Sequence, residues 1–167
     1  MWKDHLLFQV AAWLEEERTR YAIVGGVAVV RYGFLRETKD IDVLVAMPDL
    51  ESLVDRLRRE GFVETQSDGE NFQVYRRGVE QRIDLLHANN AFLRKVLDQR
   101  AAAEFEGTSL EFVAVEHLVA MKMKALAADP RRAQDLKDVK RLLAMSTGES
   151  RRRIEGVLRM YRREDLL

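Results

Sequence analysis

The stretch VGGVAVVRYGFLRETKDIDVLVA, residues 24–46, decides the fold. It holds a glycine pair, Gly25 and Gly26, and an apolar strand pattern that is interrupted by Asp40 and Asp42. Successive side chains of a β-strand point to opposite faces, so these two carboxylates share one face of the predicted strand. Like charges so close together raise each other's pKa unless a cation or a fixed donor lies between them. The sequence therefore predicts a cation or a hydrogen-bond donor beside this face.

Length and composition are those of a single globular domain. The chain has 167 residues, of which 47% are apolar and 34% charged, and its 28 basic residues balance 28 acidic ones. It has no cysteine, which excludes disulfide bonds and thiolate metal sites. No signal-peptide pattern is visible and the apolar runs are too short to span a bilayer. We therefore expect a soluble, cytoplasmic protein.

Hydrophobic periodicity predicts strands and helices that follow one another along the first two thirds of the chain. We expect a hairpin around Ser67–Glu70, and we expect Gly107–Thr108 to join the last two strands. The predicted helices are residues 4–19, 27–32, 48–60 and 91–100, and the predicted strands are residues 21–24, 39–46, 62–65, 72–77, 81–86, 103–106 and 110–113.

From Glu116 onward the pattern is helical, with breaks at Asp129–Pro130 and Thr147–Gly148. The predicted fold is therefore α/β (α+β), a short mixed sheet flanked by helices. Residues 1–113 are expected to form the core, and residues 114–167 a helical C-terminal portion that packs on it as a single compact unit.

Two further features surround the aspartate pair. Gly25 and Gly26 lie between a predicted strand and a short helix, where the backbone can approach a ligand and helix N–H groups can bind an anion. Asp84 interrupts another apolar strand, residues 81–86. Three carboxylates on neighbouring strands would repel one another, but they are hard oxygen ligands of the kind that Mg²⁺ takes, together with waters and phosphates.

These elements resemble the DNA polymerase β-type nucleotidyltransferase superfamily, whose pattern is an apolar strand ending in Gly-Gly or Gly-Ser, a short helix, Asp-x-Asp, and a later strand Asp. The lead-in Arg36-x-Thr38-x-Asp40 and the tail with Lys122 and Arg132-x-x-Asp135-x-x-Asp138 are similar to those of the small bacterial members. Those members include antibiotic nucleotidyltransferases and abortive-infection-type toxins. Gly26 replaces the serine of many relatives, which removes one hydroxyl donor to phosphate.

The resemblance implies a metal-dependent enzyme that transfers a nucleoside monophosphate from a nucleoside triphosphate, such as ATP, to an acceptor hydroxyl and releases pyrophosphate. Asp40 and Asp42 would hold two Mg²⁺ ions, with Mn²⁺ as an alternative. Asp84 would ligate the catalytic ion and accept the proton of the acceptor hydroxyl. Gly25 and Gly26 would hold the triphosphate through their N–H groups.

Arg36, Thr38 and Lys122 complete the predicted nucleotide-binding residues, and each predicted site residue has a structural alternative. The glycine pair could be a tight turn, Arg36 and Thr38 could cap the strand, and Lys122 could be a solvated lysine. The remaining alternatives are ion pairs: Asp40 with Arg36 or Lys39, Asp84 with Arg82 or Arg77, and Asp135 and Asp138 with partners at the surface or between helices.

The acceptor and the oligomeric state stay open at this stage. A small molecule, a protein hydroxyl and an RNA 3′ end all satisfy the chemistry, and a neutral chain with an arginine-rich tail does not choose among them. A homodimer is one expected state, since small enzymes with an exposed helical tail often dimerise. The alternative function is a catalytically idle member of the fold that binds a nucleotide or a partner, for example in a toxin–antitoxin system.

Overall fold

A computed structural model describes residues 6–67 and 71–167. Seven α-helices and seven β-strands are formed within this part of the chain. The helices are α1 (Leu6–Glu16), α2 (Gly25–Arg31), α3 (Asp49–Arg59), α4 (Ala91–Asp98), α5 (Val115–Ala128), α6 (Ala133–Met145) and α7 (Gly148–Met160). The strands are β1 (Tyr21–Val24), β2 (Asp40–Val45), β3 (Val63–Ser67), β4 (Asn71–Tyr75), β5 (Arg82–His87), β6 (Ala101–Phe105) and β7 (Thr108–Phe112).

All seven strands belong to one mixed sheet in the order β3-β4-β5-β2-β1-β7-β6. β2 pairs in parallel with β5 and β1 in parallel with β7, while the other pairs are antiparallel. The predicted mixed α/β class is therefore confirmed. None of the described helices is long and apolar enough to cross a membrane.

The chain divides into two compact units. The first holds the described part of Met1–Val27 together with Glu37–Val113, and therefore the whole sheet. The second holds Ala28–Arg36 and Ala114–Leu167, so it includes the end of α2 and the three C-terminal helices. The expected packing of the C-terminal portion on the core as a single compact unit stays a prediction.

The core of the first unit follows from strand alternation. Ile41, Val43 and Val45 of β2 are fully buried on one face of the sheet, next to Ile83 and Leu85 of β5. A shift of one residue would turn these apolar side chains to the other face, so their burial fixes the register of the two strands. This register also decides where the intervening aspartates lie.

The second unit is a helical assembly in which α5 packs against α6 and α7. Its buried side chains recur at helical spacing on the three facing helices. They include Leu118, Val119, Met123, Val139, Leu142, Ile154 and Leu158. The predicted helix breaks near Pro130 and Gly148 are confirmed.

Several predicted boundaries differ from the observed ones. α2 begins at Gly25 rather than at residue 27, because φ of +62° at this glycine lets the chain pass directly from β1 into the helix. The last hairpin turns at Glu106–Gly107, which both have positive φ as a two-residue turn of type I′ requires. α1 ends at Glu16 rather than at residue 19. Residues 4, 5 and 68–70, which include most of the expected hairpin tip, lie outside the described residues.

Candidate active site

The register of β2 and β5 brings two of the predicted carboxylates side by side. Asp42 is the direct partner of Asp84 across the parallel pair, and Asp40 is the partner of Arg82. Because residues two apart in a strand share a face, all four side chains lie on the same face of the sheet. The three predicted catalytic aspartates therefore share one face of the sheet.

Asp84 is partly buried and accepts a hydrogen bond from the residue opposite it on the neighbouring strand β4. The Nε2 of Gln73, its register partner in β4, donates to Asp84 Oδ1 over 2.7 Å. Burial raises the pKa of Asp84, the Gln73 hydrogen bond lowers it, and the charge of Asp40 raises it again, with a net increase. Asp84 is thus a carboxylate that binds a proton more readily than an ordinary aspartate.

Gln73 was not among the residues predicted from sequence. Its place beside Asp84 depends on how β4 pairs with β5, and the next pair, β3 with β4, contains an irregularity between Glu64 and Gln66. Alternation along the sequence 72–77 shows only that Gln73 faces away from Val74. No local signal shows which residue of β5 it meets.

The Asp40 carboxylate has a loose ion pair and one oxygen atom without a hydrogen bond. Arg82 Nε is 3.6 Å from Asp40 Oδ1, and both side chains are about half exposed. The Oδ1 atom itself is covered, and it has no hydrogen-bond partner among the described residues. Arg36, one of the predicted alternative partners, forms an ion pair with Asp138. Thr38 Oγ1 donates to the backbone oxygen of Asp40 over 3.2 Å.

Asp42 packs against the first residue of α2. A Cβ atom built on Gly25 would lie 2.0 Å from Asp42 Oδ2, and Gly25 has φ of +62°. Only glycine fits both the backbone angle and the approaching carboxylate. Gly26 is the second residue of α2, so the glycine pair forms the helix N-terminus, where N–H groups have no partner within the helix. Gly25 and Asp42 are therefore in direct contact, and Gly26 follows as the next residue of α2.

The donor set fits a hard divalent cation. Three carboxylates share the face, Asp40 Oδ1 is covered without a hydrogen bond, and Gly25 leaves room for the Asp42 carboxylate. Within residues 6–67 and 71–167 no three His, Asp or Glu side chains lie close enough together to hold a metal ion by themselves. A Mg²⁺ ion held by one or two carboxylates would need water and phosphate oxygens to complete its shell.

Two of the predicted nucleotide-binding residues lie in the second unit and are bound to the same aspartate. Lys122 is buried, and its Nζ is 2.8 Å from Asp135 Oδ1 and 2.7 Å from Asp138 Oδ2. Arg36 Nη2 donates to Asp138 Oδ2 over 3.2 Å, and Gln134 Nε2 donates to Asp138 Oδ1 over 2.9 Å. The structural alternative of a solvated Lys122 is therefore wrong.

Asp135 and Asp138 form the predicted ion pairs between helices, and the surface alternative is wrong for Asp138, which is fully buried. Arg132 Nε also donates to Asp135 Oδ2. Burial raises the pKa of Asp135, but hydrogen bonds from Lys122 and Arg132 outweigh it and give a net decrease. These hydrogen bonds stabilise Asp135 in the charged form.

Comparison with known proteins identifies the family and the fold. A family described as "uncharacterised nucleotidyltransferase" matches residues 5–155. The structure is similar to the crystal structure of ANT(2″)-Ia in complex with adenylyl-2″-tobramycin, with a TM-score of 0.73 at 17% identity, over 94% of this chain and 95% of that one. No protein of curated function matches the sequence significantly.

Two other solved structures share the fold. The lincosamide antibiotic adenylyltransferase LnuA, with lincomycin bound, matches with a TM-score of 0.61 at 15% identity over 86% of this chain and 98% of that one. A putative nucleotidyltransferase from Thermotoga maritima matches with a TM-score of 0.60 at 13% identity over 79% of this chain and 88% of that one. The resemblance to the DNA polymerase β-type superfamily is confirmed, and the chain belongs to a nucleotidyltransferase family.

Proposed function

We propose that the protein is a metal-dependent nucleotidyltransferase that moves a nucleoside monophosphate from a nucleoside triphosphate to an acceptor hydroxyl and releases pyrophosphate. One observation carries the proposal: Asp42 and Asp84 are direct partners on adjacent parallel strands, and Asp42 lies against Gly25 at the start of α2. Carboxylates and helix N–H groups at one place can serve the metal and the phosphates of the same substrate.

Asp40, Asp42 and Asp84 are the proposed ligands of the two divalent ions, which when bound would neutralise charge on the attacking and leaving oxygens of an in-line displacement. Asp84 is also the proposed general base. Its raised pKa, caused first by burial, supports this role because a base of higher pKa accepts the proton of an acceptor hydroxyl more readily. Gln73 holds the Asp84 carboxylate in place through Oδ1.

The triphosphate is proposed to bind the N–H groups of Gly25 and Gly26, with Arg36, Thr38 and Lys122 as further contacts. Lys122 directs two of its three ammonium donors to Asp135 and Asp138, so a phosphate contact falls to the third. Thr38 begins the segment that enters β2 and bonds to the backbone of Asp40. Its side chain therefore couples the nucleotide contact to the position of a proposed metal ligand.

The proposed substrates are ATP and a small molecule that carries a hydroxyl group. Two of the similar structures are of proteins named for adenylyl transfer or bound to an adenylylated antibiotic. At 15–17% identity these likenesses show the fold alone, so they give only the order in which nucleotides and acceptors should be tried. A protein hydroxyl and an RNA 3′ end are the alternative acceptors, and the same experiment tests them.

The test is incubation with each α-labelled nucleoside triphosphate, Mg²⁺ and fractions of a cell extract, with pyrophosphate release and the size class of the labelled product as readouts. We expect label to appear in a small molecule, to depend on the divalent ion and to be lost in Asp42→Asn. Asp165→Asn, a substitution of an exposed aspartate paired with Arg163, is the matched control and should keep full activity.

Isothermal titration distinguishes the enzyme from an idle binding protein of the same fold. Mg²⁺-dependent binding of a nucleoside triphosphate without any label transfer or pyrophosphate release would support the idle alternative. If the native protein binds none of ATP, CTP, GTP and UTP in the presence of Mg²⁺, both nucleotide functions are wrong.

A further inference from the structure

Strand β3 contains a bulge at Thr65. The residue before it, Glu64, pairs with Val74 of β4, and the residue after it pairs with Gln73, which is the adjacent residue of β4. Thr65 is therefore an additional residue between two successive pairs. Such β-bulges are common at sheet edges and beside active sites, where they re-aim a side chain. The contacts of the Thr65 side chain show what this bulge serves.

The Thr65 hydroxyl contacts Gln73 twice. Its Oγ1 lies 3.1 Å from the backbone oxygen of Gln73 and 3.3 Å from the side-chain oxygen Oε1. A hydroxyl has one proton to donate, so the two oxygens share it. The hydroxyl therefore holds both the backbone and the side chain of Gln73 against the bulge.

The Gln73 amide extends this contact to Asp84. An amide has one acceptor oxygen and one donor nitrogen, and here Oε1 accepts from Thr65 while Nε2 donates to Asp84 Oδ1 over 2.7 Å. If the amide were reversed, Oε1 would face the Asp84 carboxylate, and two acceptors would meet without a proton between them. Thr65, Gln73 and Asp84 therefore form a chain of hydrogen bonds that runs in one direction.

This chain of hydrogen bonds ends on a residue of the candidate active site. We propose that Thr65 is a positioning residue for the reaction and that it acts on Asp84 through Gln73 alone. The inference rests on the proposed function, in which Asp84 is a metal ligand and the general base. Both roles need the carboxylate in one rotation, and residues that hydrogen-bond to a metal ligand fix its orientation. With the Thr65 hydroxyl in place, Gln73 and the Asp84 carboxylate each keep one conformation.

Kinetic constants test the proposal, because Thr65 should affect the rate of transfer and not the binding of the nucleotide. Gln73→Met keeps the length of the side chain and removes the amide, so kcat should fall by a factor of about 10 to 100, as is typical when the partner of a metal ligand is lost. Thr65→Val keeps the shape and removes the hydroxyl, so kcat should fall a few-fold. KM for the nucleoside triphosphate should stay unchanged in both variants, and Thr65→Ser, which keeps the hydroxyl, should retain the native kcat.

A double-mutant cycle separates positioning from a contribution to the fold alone. If Thr65 acts only through Gln73, Thr65→Val should have no further effect on kcat when it is combined with Gln73→Met. Thr108→Val removes a hydroxyl from β7 of the same sheet, and as the matched control it should leave kcat unchanged. Additive losses of kcat in the double variant, or a native kcat in Thr65→Val, overturn the proposal.

The Gln73 side-chain amide offers a readout that needs neither metal nor nucleotide. Its two N–H resonances in proton–nitrogen NMR spectra of the full chain are identified by their loss in Gln73→Met. We expect them to shift in Asp84→Asn and in Thr65→Val, and to stay in place in Thr65→Ser. Unchanged resonances in Thr65→Val, in a protein that transfers nucleotide, overturn this inference alone. A native protein that transfers no nucleotide overturns the proposed function and the catalytic part of this inference together.

Discussion

The protein contains two groups of aspartates in opposite electrostatic surroundings. In the second unit, Asp138 is fully buried, but it forms an ion pair with Lys122 and accepts hydrogen bonds from Arg36 and Gln134. On the sheet of the first unit, Asp84 accepts a hydrogen bond from Gln73, and Arg82 Nε lies 3.6 Å from Asp40 Oδ1. Asp138 therefore pairs closely with basic side chains, whereas Asp84 accepts from a neutral amide and Asp40 has a looser ion pair.

The pKa values record the same difference. The pKa of Asp84 is raised, first by burial, while that of Asp135 is lowered because hydrogen bonds from Lys122 and Arg132 outweigh its burial. A carboxylate with a raised pKa weakens the folded state when it is charged, and a carboxylate with a lowered pKa strengthens it. The comparison therefore separates Asp135, whose charged form stabilises the folded state, from Asp84, whose charged form weakens it.

The largest effect on stability is expected from Asp138→Asn. The change leaves the buried Lys122 ammonium with one of its two carboxylates and removes the charge that Arg36 faces, so the free energy of unfolding should fall by about 3 kcal/mol. Urea denaturation measures the change. Asp84→Asn, which keeps the oxygen that accepts from Gln73, should leave stability unchanged or raise it. Equal losses in both variants would remove the distinction between the groups.

The largest effect on activity is expected from Asp42→Asn. The substitution preserves size but removes one proposed metal ligand, so transfer of the labelled nucleotide should fall by a factor of about 100 to 1,000. The same variant should unfold at the same or a higher urea concentration than the native protein. Full activity with Mg²⁺ would show that the sheet aspartates are not the catalytic group.

Alanine substitutions at Gly25 and Gly148 compare a crowded glycine position with an open one. Gly25→Ala adds a Cβ atom 2.0 Å from Asp42 Oδ2 at φ of +62°, and Gly148→Ala adds one at φ of +56° with nothing within 4 Å. Both replacements should cost about 1 kcal/mol from the backbone angle, and Gly25→Ala should cost about 1–2 kcal/mol more and reduce nucleotide binding. Equal stabilities in thermal unfolding would mean that Asp42 moves aside without cost.

The smallest effects are those of pH on stability, and they have opposite signs in the two groups. Because the folded protein holds the Asp84 proton more tightly than the unfolded chain, its contribution to stability falls as pH rises above about 4. Asp135 holds its proton less tightly when folded, so its contribution is complete above about pH 4 and is lost as pH falls below it. Urea midpoints between about pH 3 and 7 for the native protein, Asp84→Asn and Asp135→Asn check both signs.

Much of the site could be predicted because it rests on local patterns. The alternation of aspartate with isoleucine and valine is enough to place Asp40 and Asp42 on one face, whatever the rest of the chain does. The glycine pair before an apolar helical run marks a close backbone approach. The start of α2 was misjudged because glycine is a poor helix former, and the positive φ that it supplies at Gly25 depends on the direction in which β1 arrives.

The partners of these side chains could not be predicted, because they come from distant parts of the chain. Gln73 reaches Asp84 only through the pairing of β4 with β5, and Arg36 reaches Asp138 across 102 positions of sequence. Lys122 was predicted as a nucleotide contact because its position on α5 resembles that of relatives. Its burial between two aspartates follows from the packing of α5 against α6.

The sequence by itself determined which residues share a face, where helices break and which residue types could bind a divalent ion, because strand alternation and helix periodicity are local properties of the backbone. Only the tertiary structure decided that Asp84 lies opposite Asp42, that Asp138 is neutralised by Lys122 and Arg36, and that β6 is left at an edge. Those facts depend on strand register and helix packing, which are fixed by burial of apolar side chains that are far apart in the chain.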